Sequence, residues 1–425
     1  MISFGGPAGQ IALMHRIVVD EKRWIDEPRF LHALNYCMLL PGPEAQQLAV
    51  YLGWLLHRWR GGLIAGILFV LPGAIVMMAL SILYVLYHKV AFVEGLFWGI
   101  RAAVLAIVVE AVLRIARRAL RNTIMYTVAA LAFVGIFFFN APFPLVVLAA
   151  AAFGFFGAHF WPTAFMAQTE HAPSAGTPAG NAAAGGAHEN SGRRVATIGC
   201  GLLLWFGPTL ALGAAFGWSS TFTDIGMFFS KMAVVTFGGA YAVLSYVAQQ
   251  AVDAYGWLAP GEMLTGLGFA ETTPGPLIMV VQFVAFLGAY RAPGGLDPLA
   301  AGILGGLLAT WVTFVPCFLW IFLGAPYVER LRGNRRLSAA LATITAGVVG
   351  VILNLAVWFA AHTVFASVGE VRIGPARLVV PDPATLDPWA LAVAAAAMVA
   401  MLIFRIGLLP TIAGAGALGI LFRLW

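Results

Sequence analysis

Apolar runs bounded by short polar or Gly/Pro-rich breaks recur along the whole chain. Stretches long enough to cross about 30 Å of hydrocarbon as helices lie at 30–56, 61–87, 92–113, 122–140, 143–158, 195–218, 226–251, 262–290, 299–325, 337–365, 387–404 and 406–422, with a partial one at 1–14. The runs at 122–140 and 143–158 are short and separated by Asn140-Ala-Pro-Phe-Pro144, so they read as a tight hairpin of tilted helices; the last two runs read the same way. The pattern predicts an all-α polytopic membrane protein. One segment departs from it. Residues 159–194 are rich in Ala, Gly, Pro, Ser and Asn, as in Ser174-Ala-Gly-Thr-Pro-Ala-Gly-Asn181, and cannot bury enough apolar surface to fold alone. They are expected to form a flexible cytoplasmic linker.

The pattern repeats across that linker. Phe4-Gly5-Gly6 recurs as Phe237-Gly238-Gly239, Trp24 as Trp257, Pro41-Gly42-Pro43 as Pro274-Gly275-Pro276 and Arg58 as Arg291, all at an offset of 233 residues. After an insertion around Ala292–Asp297 the offset becomes 244, relating Gly61-Gly62 to Gly305-Gly306 and Pro72 to Pro316. A shared register means internal duplication, the signature of secondary transporters. The units expected are a first repeat at 1–158, the linker at 159–194, a connecting transmembrane helix at 195–225 and a second repeat at 226–425. The second half has apolar residues from Phe222 ahead of its Phe-Gly-Gly; the first has only Met1-Ile-Ser, so either the start is placed too late or the first helix is truncated.

Charge sets the orientation. Arg114, Arg117, Arg118 and Arg121 form the densest basic loop of the first half, and Arg330, Arg332, Arg335 and Arg336 that of the second. Both should be cytoplasmic. The first follows the segment at 92–113 and the second precedes its counterpart at 337–365, so the halves should be inverted. This gives about thirteen crossings with the N-terminus inside and the C-terminus outside. One loop disagrees: 15–29, with Arg16, Lys22, Arg23 and Arg29, would face outward; a re-entrant hairpin at 30–56 would turn it inward but would spoil another assignment in the second half, so the spanning path is kept.

Composition agrees with lipid as the main solvent. Hydrophobic residues are 61% of 425, charged residues 10%, and the mean hydropathy is +0.90, against about half apolar and a quarter charged in soluble domains. The 24 Lys+Arg and 18 Asp+Glu sit in short clusters between apolar runs, which argues against a nucleic-acid partner. The start of the chain lacks the basic region and apolar core of a cleavable signal. Cys37, Cys200 and Cys317 are scattered at lipid depth, so neither disulfides nor a metal site is expected, and no cofactor motif is present. Gly-x-Ser-x-Gly, His-Glu-x-x-His and phosphate-loop strings are missing, which argues against an enzyme.

The candidate chemistry lies at the paired breaks. Pro41-Gly42-Pro43 and Pro274-Gly275-Pro276 each interrupt an apolar run, and broken backbone at that depth survives only when buried in protein or lining a wet cavity. The half-helix after each break offers free N–H groups and a positive dipole end, which suits an anion; the alternative is a plain kink. Gly5, Gly6, Gly238 and Gly239 permit close approach of a ligand or of another helix. Asn35, Gln46, Gln47, Thr272 and Thr273 cluster near the breaks as possible donors to an oxyanion. Glu44 and Glu271 would repel one and are candidates for proton coupling or for helix capping. Arg101, well inside 92–113, is a candidate for direct pairing with an anion through its forked guanidinium; its alternative is a salt bridge to Glu44, Glu94 or Glu110. Lys231 could snorkel to the interface.

Together these strings resemble the chromate ion transporters in their long, two-domain form. The resemblance rests on Phe4-Gly-Gly-Pro-Ala-Gly-Gln10, Leu40-Pro-Gly-Pro-Glu-Ala-Gln-Gln-Leu-Ala49, Tyr51-Leu-Gly-Trp54, Thr236-Phe-Gly-Gly-Ala-Tyr241 and Thr272-Thr-Pro-Gly-Pro276. It implies a bacterial inner-membrane protein that exports chromate, confers chromate resistance and uses the proton motive force. A cytoplasm-negative potential favours exit of a dianion by about 4.6 kcal/mol at ~100 mV. The partners expected are chromate or a related oxyanion and the lipid bilayer, with a homodimer left open. Rival readings are a transporter of sulfate or another anion, an anion channel, and a non-transporting membrane scaffold or intramembrane enzyme.

Overall fold

A computed structural model of the chain describes residues 6–160, 191–237, 240–324 and 335–424. The helices are α1 (Gly6–His15, prolonged by a π-turn at Arg16–Glu21), α2 (Glu27–Cys37), α3 (Glu44–Tyr87), α4 (Ala91–Ala119), α5 (Thr123–Phe139), α6 (Phe143–Phe160), α7 (Ser191–Phe216) and α8 (Thr221–Val235). They continue as α9 (Ala240–Gln249, with a π-turn at Gln250–Ala254), α10 (Pro260–Thr272), α11 (Val280–Arg291, led in by a 3-10 turn at Leu277–Met279), α12 (Pro298–Gly324), α13 (Arg335–Val364), α14 (Pro388–Leu402) and α15 (Leu408–Leu424). Among the described residues, six helices are long and apolar enough to cross a membrane. The multi-pass, helical reading therefore holds, with one addition. Val368–Ile373 and Ala376–Pro381 pair as an antiparallel β-hairpin, whose turn places Gly374 at φ +60°.

Local chemistry sets several ends. Asn122 caps α5 by accepting from the Met125 N–H at 2.9 Å, and Asn140 closes it in the left-handed region, making the tight α5–α6 turn read from Asn-Ala-Pro-Phe-Pro. Asp387 caps α14 through the N–H groups of Trp389 and Ala390, with Pro388 at the first helical position.

Three of the runs expected to span do not run through. α3 reverses at His57 and Arg58, where φ/ψ are −136°/28° and 52°/−142°. A Cβ on Gly53 would lie 2.4 Å from the Gly61 carbonyl oxygen, whereas residues eight apart on a straight helix are separated by about 12 Å. The helix is thus a short arm (44–56) folded back on a long arm (59–87). The short arm also folds back on α2: the Tyr36 and Tyr51 rings are 5.4 Å apart, and Phe30, Ala33, Leu48 and Val50 share one core cluster. In the second half, α10 doubles back on α11. A Cβ on Gly266 would meet the Phe283 ring at 2.6 Å and one on Gly288 the Trp257 ring at 2.8 Å, and Arg291 Nη1 donates to the Trp257 carbonyl at 2.6 Å. Likewise α8 doubles back on α9, with the Phe228 ring 5.9 Å from Tyr246 and 5.7 Å from Trp257. The expected segments 30–56, 226–251 and 262–290 are therefore hairpins whose tips are the Pro-Gly-Pro strings and Thr236-Phe237. Two antiparallel arms of about 13 residues have the same composition as one broken span, which is why hydropathy alone reads them as crossings.

The hairpins sit at opposite ends of the long arm of α3. Gly62, near its start, packs on Val50 of the first hairpin. Tyr84, near its end, donates to Glu262 at the base of the α10–α11 hairpin at 3.0 Å. The remaining helices interlock the halves. α4 packs on α14 and α15, with Gly95 and Gly99 against the backbone of Gly419 and Ala415, while α13 packs on α5 and α6, with Gly350 against Ala129 and Gly154 against Ala339. Small residues at these crossings let backbones touch, the usual means of helix association in lipid.

Candidate functional site

The hairpin tips converge on one another. Gly42 has φ +124° and Gly275 φ +128°, so both Pro-Gly-Pro turns take the same left-handed shape. The tips cross between halves. Gly42 N–H donates to the Thr236 carbonyl at 2.8 Å, and a Cβ on Gly42 would lie 2.8 Å from Cys317 Sγ on α12. Gly275 rests on Gly73 in the long arm of α3, its own Cβ position 3.2 Å from the Gly73 Cα, and its carbonyl accepts from Gln10 Nε2. Gly73 and Cys317 each follow one of the paired prolines, Pro72 and Pro316.

Between the tips lies a cavity of about 20 Å³, lined by Gln10, Pro43, Glu44, Ala45, Ala240, Pro276, Leu277 and Ile278. It has room for about one water. Two helices start at its wall, one at Glu44 and one at Leu277, and the first N–H groups of a helix have no acceptor within it. Around this point five buried side chains carry polar atoms without a partner among the described residues: Gln10 Oε1, both amide atoms of Gln46, Gln47 Oε1, Thr273 Oγ1 and Thr313 Oγ1. Each such atom costs about 1–3 kcal/mol when shut away from water. Of the five, Gln10 lines the cavity itself, Gln46 and Gln47 lie in the first turn of the helix that starts at Glu44, Thr273 precedes Pro274 at the second tip, and Thr313 lies one turn before Cys317.

The residues singled out from sequence divide as follows. Gln46 and Thr273 are buried and unpartnered. Glu44 lines the cavity. Gln47 braces the first tip by donating to the Pro41 carbonyl at 2.7 Å. Glu271, 4% exposed, accepts from the Tyr241 hydroxyl, one residue past the cavity-lining Ala240. Thr272 is less available, since its hydroxyl donates to Gly268 and Phe269 carbonyls of its own helix. Asn35 is exposed rather than turned to the tips. Gly6 opens α1, while Gly5, Gly238 and Gly239 lie outside the described residues. Lys231 is exposed on α8.

Arg101 is not brought to the tips. Its Nε donates to Thr265 Oγ1 at 3.1 Å, and its guanidinium lies over Gly261 in the first turn of α10, roughly 12–18 Å along that helix from the break. The carboxylates considered as its partners are engaged or elsewhere: Glu94 pairs with Arg423, Glu110 with Arg114, and Glu44 lies at the tips. Nearby, Glu262 accepts from the Ala259 N–H at 2.7 Å, Tyr84 Oη at 3.0 Å and Arg291 Nη2 at 2.7 Å, a knot that ties the base of the α10–α11 hairpin to α3. Glu262→Gln weakens the charge-assisted bonds and should lower stability by about 1–3 kcal/mol; a thermal-unfolding midpoint equal to wild type would show that the knot carries no load.

Gln10, Gly73, Tyr241 and Cys317 were not selected from sequence. Gln10 and Tyr241 do lie in the paired Phe-Gly-Gly strings, and Gly73 and Cys317 follow the paired prolines, so the duplication held the signal.

The profile of the chromate transporter family matches residues 1–155 and 223–420. The chain is 33% identical over 364 residues to a chromate transport protein of Pseudomonas aeruginosa, covering 83% of this chain and 76% of that protein. It is 26% identical over 374 residues to a chromate transport protein of Cupriavidus metallidurans, covering 85% and 80%, and 25% identical over 358 residues to a probable chromate transport protein of Synechococcus elongatus, covering 84% and 80%. No solved structure matches. With the family profile spanning both halves, the chain belongs to the chromate transporter family.

Proposed function

We propose that this chain is a secondary transporter that exports chromate from the cytoplasm across a bacterial inner membrane and so gives chromate resistance. The observation that carries the reading is the pair of half-helix N-termini facing one small cavity, with Gln46 and Thr273 buried and unpartnered beside it. A tetrahedral dianion would satisfy those donors and both positive dipole ends at once. The cavity is too small for that anion, so binding requires the tips to part, as alternating access demands. Glu44, at the cavity wall, and Glu271, held by Tyr241, are the proton-coupling candidates; Arg101 would meet the anion on its way outward.

We further propose that residues 1–158 and 226–425 form inverted repeats joined by the linker at 159–194 and the connecting helix at 195–225. In this path the re-entrant hairpins enter from opposite faces, and nine helices cross: the long arm of α3, α4 to α7 and α12 to α15. That replaces the thirteen crossings counted from hydropathy. Charge supports it. The loop at 15–29 now shares a face with Arg58, Arg60, Arg117, Arg118, Arg121, Arg336 and Arg405, which makes that face cytoplasmic, and the C-terminus emerges outside.

Inside-out vesicles containing the protein should accumulate chromate when energised and lose it on adding a protonophore. Sulfate taken up as efficiently would replace chromate by a broader oxyanion substrate; flux that never exceeds equilibrium would mean a channel.

A further inference from the structure

An open apolar groove of about 470 Å³ runs between α5 and α6, lined by Thr123, Ile124, Val128, Leu131, Val146 and Phe153 among others. It exists because α5 and α6 splay apart over α13, where Gly347 forms the floor: a Cβ there would lie 3.5 Å from Ala150 and 3.8 Å from Val128. The walls are apolar along most of their length, but the groove ends at Thr123, the first residue of α5. That end is strongly basic. Arg117 and Arg118 close α4, Arg121 follows, and all three are exposed. Arg121 Nε donates to the Arg118 backbone carbonyl at 3.1 Å, which fixes the Arg121 side chain against the end of α4, two residues before Thr123. Arg336 joins them from α13, against His159 at 3.2 Å and over the Phe155 ring. Among the described residues, none of Arg117, Arg118 and Arg121 is paired with a carboxylate; Arg114, a turn earlier on α4, pairs with Glu110 at 3.5 Å.

An apolar slot opening onto a cluster of guanidinium groups matches one class of ligand, a lipid with an acyl tail and an anionic phosphate head. We propose that the groove holds one anionic phospholipid, its chain between α5 and α6 and its phosphate among Arg117, Arg118 and Arg121. Guanidinium forks suit phosphate oxygens, and basic residues at the membrane surface attract anionic lipid. The occupant would also cover the flank of α13 and so support the interlock of α5 and α6 with the other half. The site is remote from the hairpin tips, and its test does not depend on the transported ion.

The purified full chain is offered equimolar phosphatidylglycerol and phosphatidylethanolamine and weighed by native mass spectrometry. Retention of a single phosphatidylglycerol, preferred over phosphatidylethanolamine, is expected. The triple variant R117Q/R118Q/R121Q should bind it about a hundred-fold more weakly, at roughly five-fold for each charge removed. Ala149→Trp, on the groove wall, should reduce retention with the arginines intact. Equal retention of both lipids by the wild type, which marks annular lipid only, would overturn the proposal without recourse to variants. So would undiminished phosphatidylglycerol binding by a folded triple variant.

Discussion

Gly42→Ala is expected to abolish chromate flux while the protein still inserts in the membrane. At φ +124° an L side chain is strained by about 1–3 kcal/mol, and here the strain has no room to relax. The new methyl would sit 2.8 Å from both Cys317 Sγ and Gln47 Nε2. Gln47 holds the turn through the Pro41 carbonyl, so moving it loosens the tip, and the Gly42 N–H loses its register with Thr236. Gly275→Ala should be the milder lesion. Its φ of +128° carries the same strain, but the nearest atom to the added carbon is Gly73 Cα at 3.2 Å. Vesicle flux normalised to inserted protein decides this. Near wild-type flux in Gly42→Ala would mean that the tip geometry is not needed for transport.

Gln46→Leu should separate stability from activity. Gln46 is 0% exposed and both its amide atoms lack partners. Replacing an unsatisfied buried polar group by an apolar one of similar size removes a penalty of about 1–3 kcal/mol. The variant should therefore unfold at the same or a higher temperature than wild type while losing most chromate flux, because the proposed anion site loses a donor that has no partner among the described residues. A residue with a purely structural role would show the reverse, lower stability with flux preserved.

The contrast between what hydropathy reveals and what it hides is clearest at the Pro-Gly-Pro strings. Their duplication fixes two breaks at corresponding places, and the chain does break there, with matching glycine conformations. Nothing in composition distinguishes a kinked span from two antiparallel arms, since both are apolar runs of 27 to 29 residues. The difference is made by tertiary contacts such as Gly266 on Phe283 and Gly288 on Trp257. The same holds for Gly61-Gly62, visible as a repeat but not as the close contact that lets the short arm of α3 lie on the long one. Two of the candidates that flank the breaks, Gln46 and Thr273, are buried with polar atoms that lack a partner among the described residues; whether they bind the anion is what the Gln46 variant tests. Arg101 drew notice because a charge in an apolar run is conspicuous, yet its depth along α4 leaves it beside Thr265, not the tips. Tyr241 and Gln10 carry no conspicuous chemistry alone and gain it only from what folding sets beside them. The β-hairpin after α13 was missed because its strands are six residues each, too short to stand out among helices of this length.

In the proposed path the two Pro-Gly-Pro hairpins enter the membrane from opposite faces and meet tip to tip. Single cysteines at Arg60 and Ala292, placed in a background without native cysteines, mark the bases of the two hairpins. A membrane-impermeant thiol reagent should label position 60 only in inside-out vesicles and position 292 only in right-side-out vesicles. Labelling of both positions from the same face would contradict the inverted arrangement and, with it, the shared anion site between the tips.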